Sequence, residues 1–317
     1  MSVRGTMLGA ALLFAPVAAP AQQGAQPAAS GIPARWREAT PQRPLIVAHR
    51  GCWSVAPENS LSAIAACHAL GVEAVENDVR LSHDGVAFVI HDRTLDRTTD
   101  GTGQVHELTA AQIGAMRLRE RKGGPDAFVT RETLPTLDAY LREAKRLDIM
   151  VNLEIKTDPV HDARTVFEAA VNVVRAVDAL DLVFFKIPDA PVAKGASARI
   201  IDTLDLRGLP LVMPIIWQDA RPLSERLRGY AQYRAAGYEI VFTDPAFLER
   251  DAADPALKGK QIMVVAAGPQ WSGGLDDRLA LRDPDAAWGR ALRAGATIIM
   301  TDRPEALVKW LRQTGRR

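Results

Sequence analysis

Between residues 45 and 103 the chain gathers the side chains that could do proton and charge chemistry. His49 closes the apolar run LIVAH, His91 follows VAFVI, and Glu76 with Asp78 closes a third run. Glu154 and Lys156 close a fourth, IMVNLEIK. Two acids two residues apart on a strand share one face. Turned into a barrel they are costly unless a cation neutralises them, and Glu154 can supply a third oxygen ligand. A set of carboxylates suits a hard divalent cation, Ca²⁺ or Mg²⁺, rather than zinc. The competing reading is a structural salt-bridge network with Lys156 and Arg80. Imidazoles titrate near neutral pH and carry protons. On opposite sides of a phosphodiester, one histidine would take a proton from the attacking hydroxyl and the other would protonate the leaving alcohol. Arg50 and Lys156 are candidate phosphate clamps, or else counter-ions to Glu76 and Glu154. Gly51 permits a sharp turn behind Arg50. His68, His83, His106 and His161 have no comparable partner set.

These groups need strand ends to hold them. Nine apolar runs alternate with helical stretches: 45–49, 73–78, 86–90, 149–155, 182–187, 211–216, 239–243, 262–266 and 297–301. Continuous apolar runs fit parallel strands buried on both faces. Helices are expected over 60–70, capped by Asn59 or Ser60 and stopped by Gly71, and over 136–147, 161–180 and 286–294. The alternation predicts a (β/α)8 TIM barrel, an α/β fold whose active site lies at the carboxyl ends of the strands; a doubly wound open sheet is the competitor. Nine runs exceed eight strands, and 239–243 is read as an extra element. Residues 93–133 read as a small insertion after strand three, over the barrel mouth.

The 317 residues carry a formal net charge of +1. That gives no broad case for nucleic acid or anionic lipid. Residues 1–21 read as a signal peptide, with Arg4, an apolar 6–17 and Ala19-Pro20-Ala21 as cleavage site. The expectation is a periplasmic or secreted protein with no integral membrane segment in its mature form. Residues 22–43 read as a linker, and 44–317 as the catalytic domain. Cys52 and Cys67 are the two cysteines. Cys52 lies in the first loop, and Cys67 lies about 10 Å along the following helix. That is beyond the roughly 7 Å between Cα atoms that a disulfide spans. Two buried free cysteines are therefore expected.

His49-Arg50-Gly51, Pro57-Glu58-Asn59-Ser60, Glu76-Asn77-Asp78-Val79, His91-Asp92, Arg97-Thr98-Thr99 with Gly101-Thr102-Gly103, Leu134-Pro135-Thr136-Leu137, Glu154-Ile155-Lys156 and Thr301-Asp302-Arg303-Pro304 together resemble the glycerophosphodiester phosphodiesterase family. The order and spacing run from about residue 45 to 311. The resemblance implies a barrel with an insertion at 93–133 and a divalent cation, Ca²⁺ or Mg²⁺, on Glu76, Asp78 and Glu154. It implies His49 and His91 as the acid–base pair, with Arg50 and Lys156 at the phosphate of a small phosphodiester substrate. Glu58 carries over as a site residue that binds substrate, orients Arg50 or caps the helix. Where many members carry Trp and Asn before the last strand, this chain has Met263-Val264-Val265-Ala266-Ala267, so the alcohol pocket differs. Lys186, in FFKIPD, either adds charge to the pocket or faces a helix. Trp217 and Trp271 either rebuild a pocket wall or pack elsewhere. The function implied is metal-dependent hydrolysis of a glycerophosphodiester to a phosphomonoester and an alcohol. A lysophospholipase D-like lipid phosphodiesterase and an inactive solute-binding barrel are the alternatives.

Overall fold

The computed structural model describes residues 33–188, 199–251 and 257–317; residues 1–32, which hold the expected signal peptide and half the expected linker, lie outside the described residues. Eight parallel strands close a barrel: β1 (Leu45–Ala48), β2 (Ala74–Leu81), β6 (Met150–Ile155), β7 (Val183–Pro188), β8 (Val212–Trp217), β9 (Gly237–Val241), β10 (Gln261–Val265) and β11 (Ile298–Thr301). β1 pairs with both β11 and β2, which closes the ring.

Two apolar layers hold it. Val47, Ala74, Met150, Phe184, Met213, Met263 and Met300 fill the interior. Val75, Val151, Phe185, Ile240 and Ile299 alternate with them and face the helices. Being buried on both faces is why these strands read as unbroken apolar runs. Within the expected linker, Pro33–Glu38 is a helix. Its Trp36 packs on Phe184, with ring centroids 5.0 Å apart, and floors the barrel. From residue 33 on, therefore, this stretch is packed structure, because Trp36 has an apolar floor to cover.

The surplus strand is 86–90, not 239–243. β3 (Ala87–Val89) pairs antiparallel with β2 outside the ring, while β9 lies between β8 and β10, parallel to both. Only five residues separate β2 from β3, whereas a parallel crossover needs a dozen or more. The insertion thus follows the second barrel strand and its hairpin. It contains β4 (Arg117–Arg119) and β5 (Val129–Thr133), an antiparallel pair. Leu95, Val105, Ile113 and Leu118 form its own core against Phe88 and Ile90.

Three of the four expected helices form close to their expected bounds, whereas 286–294 is a π-helical turn, Asp285–Gly289, running into the short helix Arg290–Arg293. Leu61–Leu70 is capped by the Ser60 side chain and ended by Gly71. Leu137–Arg146 is capped by Thr136, and Ala163–Ala176 by Asp162. The cysteines are not free: Cys52 and Cys67 form a disulfide, with Cα atoms 5.3 Å apart. The loop after β1 does not stand above the helix; it runs down beside it. Cys52 N–H donates to the Ala63 carbonyl at 3.4 Å, one turn before Cys67. Among the described residues no helix is long and apolar enough to cross a membrane.

Candidate active site

The loop after β1 is the most constrained backbone in the site. Arg50 and Gly51 are both left-handed, at φ 57° and 79°. A Cβ on Gly51 would lie 2.8 Å from the Ala63 Cβ, so glycine is required by conformation and by space. A non-glycine residue at positive φ persists only where its surroundings enforce it. Here the Arg50 N–H donates to Glu76 Oε2 at 3.0 Å, and Asn59 N–H donates to the Arg50 carbonyl at 2.9 Å.

The strand alternation delivers the acids together. Glu76, Asp78 and Glu154 offer oxygens that all lie within 4.8 Å of one another. Asp78 and Glu154 are register partners on adjacent strands. Glu76 Oε1 is buried with no hydrogen-bond partner. Burial, and then Asp78, hold the Glu76 carboxyl well above its usual range. Burial opposes ionisation of Asp78 too, but Lys156, His91 and Arg50 outweigh it and depress its pKa. Glu154 is likewise pulled down to about 2, by Lys186 and Lys156 against burial. An orphaned buried oxygen among three converging carboxylates fits a hard divalent cation.

The histidines flank this cluster, and each is held by a carboxylate. His49 Nδ1 meets Asp302 Oδ1 at 2.8 Å, and His91 Nδ1 meets Asp92 Oδ1 at 2.8 Å. The Nε2 atoms are thereby left for chemistry; that of His49 is 3.9 Å from Glu76. Burial lowers the His49 pKa, and Asp302 only partly compensates. Asp302 also accepts from Trp53 Nε1 at 3.1 Å and Lys122 Nζ at 2.7 Å. Its backbone N–H donates to Asp277.

One pocket is lined by His49, Arg50, Asp78, His91, Glu154, Lys156 and Lys186, together with Trp217, Glu239 and Trp271. So the expected residues converge, apart from Glu58 and Glu76, which lie behind the lining. Glu58, 2% exposed, accepts from Arg50 at 3.3 Å and from both Arg97 Nη atoms at 2.7 and 2.9 Å. It therefore orients guanidinium groups; it does not cap the helix, which Ser60 does. Lys156 bridges Glu154 and Asp78, as the salt-bridge reading held, but Arg80 does not join them. It donates instead to the carbonyls of His91 and Thr157. Lys186 points inward, 2.6 Å from Glu154 Oε2 and 3.2 Å from Glu239 Oε2. Asp302, Asp92, Arg97, Glu239 and Lys122 carry no role that the sequence alone assigns, and Asn59, a candidate helix cap, instead donates to Asp78 Oδ2 at 3.3 Å. Asp302 and Asp92 stood inside the quoted motifs. Glu239 was hidden in the strand set aside, and nothing in the sequence places Lys122.

Two family models match the chain: the glycerophosphoryl diester phosphodiesterase family over residues 49–205 and a domain of unknown function over 212–311. A glycerophosphodiester phosphodiesterase of Caldanaerobacter subterraneus is 38% identical over 113 residues, 36% of this chain and 45% of that protein. Glycerophosphodiester phosphodiesterase 1 of Mus musculus is 38% identical over 114 residues, 35% of this chain and 33% of that one. The match thus spans less than half the length of these relatives. Among solved structures, a glycerophosphodiester phosphodiesterase from Agrobacterium tumefaciens superposes with a TM-score of 0.56 at 27% identity, over 84% of this chain and 99% of that one. An Oleispira antarctica phosphodiesterase in complex with its product sn-glycerol-3-phosphate gives 0.62 at 23% identity, over 86% and 97%, a likeness of fold.

Proposed function

This chain belongs to the glycerophosphodiester phosphodiesterase family, and on that premise we propose that it hydrolyses small glycerophosphodiesters to a phosphomonoester and an alcohol. The observation that carries this reading is the pair of carboxylate-held imidazoles lining one pocket with Asp78, Glu154 and Lys156. His49, buried and biased toward its neutral form, is the base for the attacking water, or for a neighbouring substrate hydroxyl whose attack expels the alcohol and leaves a cyclic phosphate that water then opens to the phosphomonoester. His91, at the outer edge, is the acid that returns a proton to the leaving oxygen as the P–O bond breaks. Asp302 and Asp92 fix each ring by its Nδ1 and stabilise the imidazolium that each forms in turn. Arg50 grips the phosphate oxygens, and its left-handed backbone aims the guanidinium.

Glu76, Asp78 and Glu154 are the residues that would hold a divalent cation, which when bound offsets phosphate charge and stabilises the crowded transition state. Lys156 touches oxygens of two of those acids. Lys156 would therefore compete with a bound cation for them, and released from those acids it would be free to reach the phosphate. The Cys52–Cys67 disulfide supports export to an oxidising compartment. The test is a panel of glycerophosphodiesters incubated with purified protein, with and without EDTA, and product identification by ³¹P NMR. We expect a phosphomonoester and free alcohol, abolished by EDTA. Full turnover in EDTA would remove the metal from the reading, and no cleavage of any diester would remove the activity.

A further inference from the structure

We propose that Lys186 restricts Glu154 to a single metal-facing oxygen, and so tunes the three-acid site toward Mg²⁺ and against Ca²⁺; this rests on the metal-dependent reading above. Each of the three carboxylates has one oxygen claimed from behind. Glu76 Oε2 takes the Arg50 N–H at 3.0 Å, leaving Oε1 without a partner. Asp78 Oδ2 takes Asn59 Nδ2 at 3.3 Å and lies 3.7 Å from Arg50 Nε. Its Oδ1 has no hydrogen bond and lies 3.1 Å from Lys156 Nζ. Glu154 Oε2 is held at 2.6 Å by Lys186, leaving Oε1, which Lys156 touches.

The two lysines differ in how firmly they are held. Lys156 reaches in from the partly exposed end of β6. Lys186 is 7% exposed and has Glu239 at 3.2 Å on its other side. An arriving ion can displace Lys156, but not Lys186 without stranding a buried ammonium. Ca²⁺ takes six to eight oxygens and readily uses both oxygens of one carboxylate; Mg²⁺ takes about six in near-octahedral array and keeps several waters. Three single oxygens, with the remaining positions open to water and a phosphate oxygen, suit the smaller ion. Freeing Glu154 Oε2 would add the extra donor that Ca²⁺ uses.

The experiment is calorimetric titration of the chelator-stripped full chain with MgCl2 and with CaCl2. Lys186→Met and the double variant Lys186→Met/Glu239→Gln are titrated in parallel, and their folding is checked by thermal melts. Loss of one positive charge strengthens both ions, so the ratio of the two Kd values is the readout; the double variant also keeps the net charge. We expect wild type to bind Mg²⁺ at least as tightly as Ca²⁺, and the variants to shift the ratio toward Ca²⁺ by about tenfold or more. A wild-type preference for Ca²⁺ of about tenfold, or a ratio unchanged in a folded variant, overturns the role of Lys186 and leaves the metal reading standing. If neither variant folds, the wild-type ratio decides. No binding of either ion at millimolar concentration overturns the metal reading itself.

Discussion

His49 and His91 were legible as single residues because each follows an apolar run in a short motif. What holds them was harder to see, since Asp302 lies 253 positions from His49. Replacing either histidine by alanine should cut turnover about a hundredfold or more with the melting temperature retained, measured on a glycerophosphodiester under saturating metal. Near-normal turnover in both variants would reject the acid–base pair. Lys156 separates two roles in one experiment. Lys156→Met should tighten divalent-ion binding, because a competitor for Glu154 and Asp78 is gone, and should still lower kcat; loosened ion binding would refute the competition. Behind Asp302, burial pushes the Asp277 carboxyl up from 3.8 to about 7, despite hydrogen bonds from Thr301, Trp288 and the Asp302 N–H. The folded chain then keeps this proton over a range where the unfolded chain has released it. The stabilisation is full below about pH 3.8 and is lost as pH rises toward about 7. The span is on the order of 4 kcal/mol. An Asp277→Asn variant lacks this titration, so wild-type stability relative to the variant should fall from pH 4 to 8. Denaturant melts across that range would show a flat difference if the shift is absent.

At the scale of elements, eight of nine strand runs fell into the barrel, and the error was in which one did not. β3 carried an apolar run as good as the others. Its exclusion was written in the five-residue connection before it, not in its composition. β9 was set aside because nine runs did not fit eight strands. Its inward Glu239 is tolerated in the ring because Lys186 neutralises it from β7. Helix geometry misses the disulfide for a different reason. Rise along the helix measures separation along its axis, whereas the loop after β1 descends beside that axis. The bridge closes a separation of 15 residues, and a loop of that length contributes about 3 kcal/mol to stability. Reduction, or a Cys52→Ser/Cys67→Ser variant, should therefore lower the denaturation midpoint. Because Gly51 packs on Ala63 beside the bridge, the Michaelis constant should rise as well. A midpoint insensitive to reductant would mean that the bridge does not form in the folded protein.

Taken whole, the barrel has two unlike halves, and they coincide with the two family matches. The half from β1 to β7 carries His49, His91, the three converging acids, Arg50 and Lys156, all of which lie within residues 49–205, a span that starts just after β1. The half from β8 to β11 lies within 212–311 and presents Ile215, Val241, Val265 and Met300, with Trp217 and Trp271 at its lip. The absence of Trp and Asn at 263–267 pointed to a changed alcohol pocket without giving its chemistry, since strand parity alone does not say which side chains meet across a barrel. Of the polar groups lining this half, Glu239 is engaged by Lys186. Hydroxyls of a polyol alcohol would lose their water there and find few partners beyond the two indole N–H groups. A methylated ammonium or an alkyl group would pack against the aliphatic wall and the indole faces. Glycerophosphocholine should therefore have a kcat/KM about tenfold or more above that of glycerophosphoinositol. Trp217→Ala or Trp271→Ala should raise KM for the choline diester with little change in kcat, because the indoles hold the group that leaves and not the phosphorus. Equal kcat/KM values for the two diesters in wild type would show that the second half of the barrel does not select the alcohol.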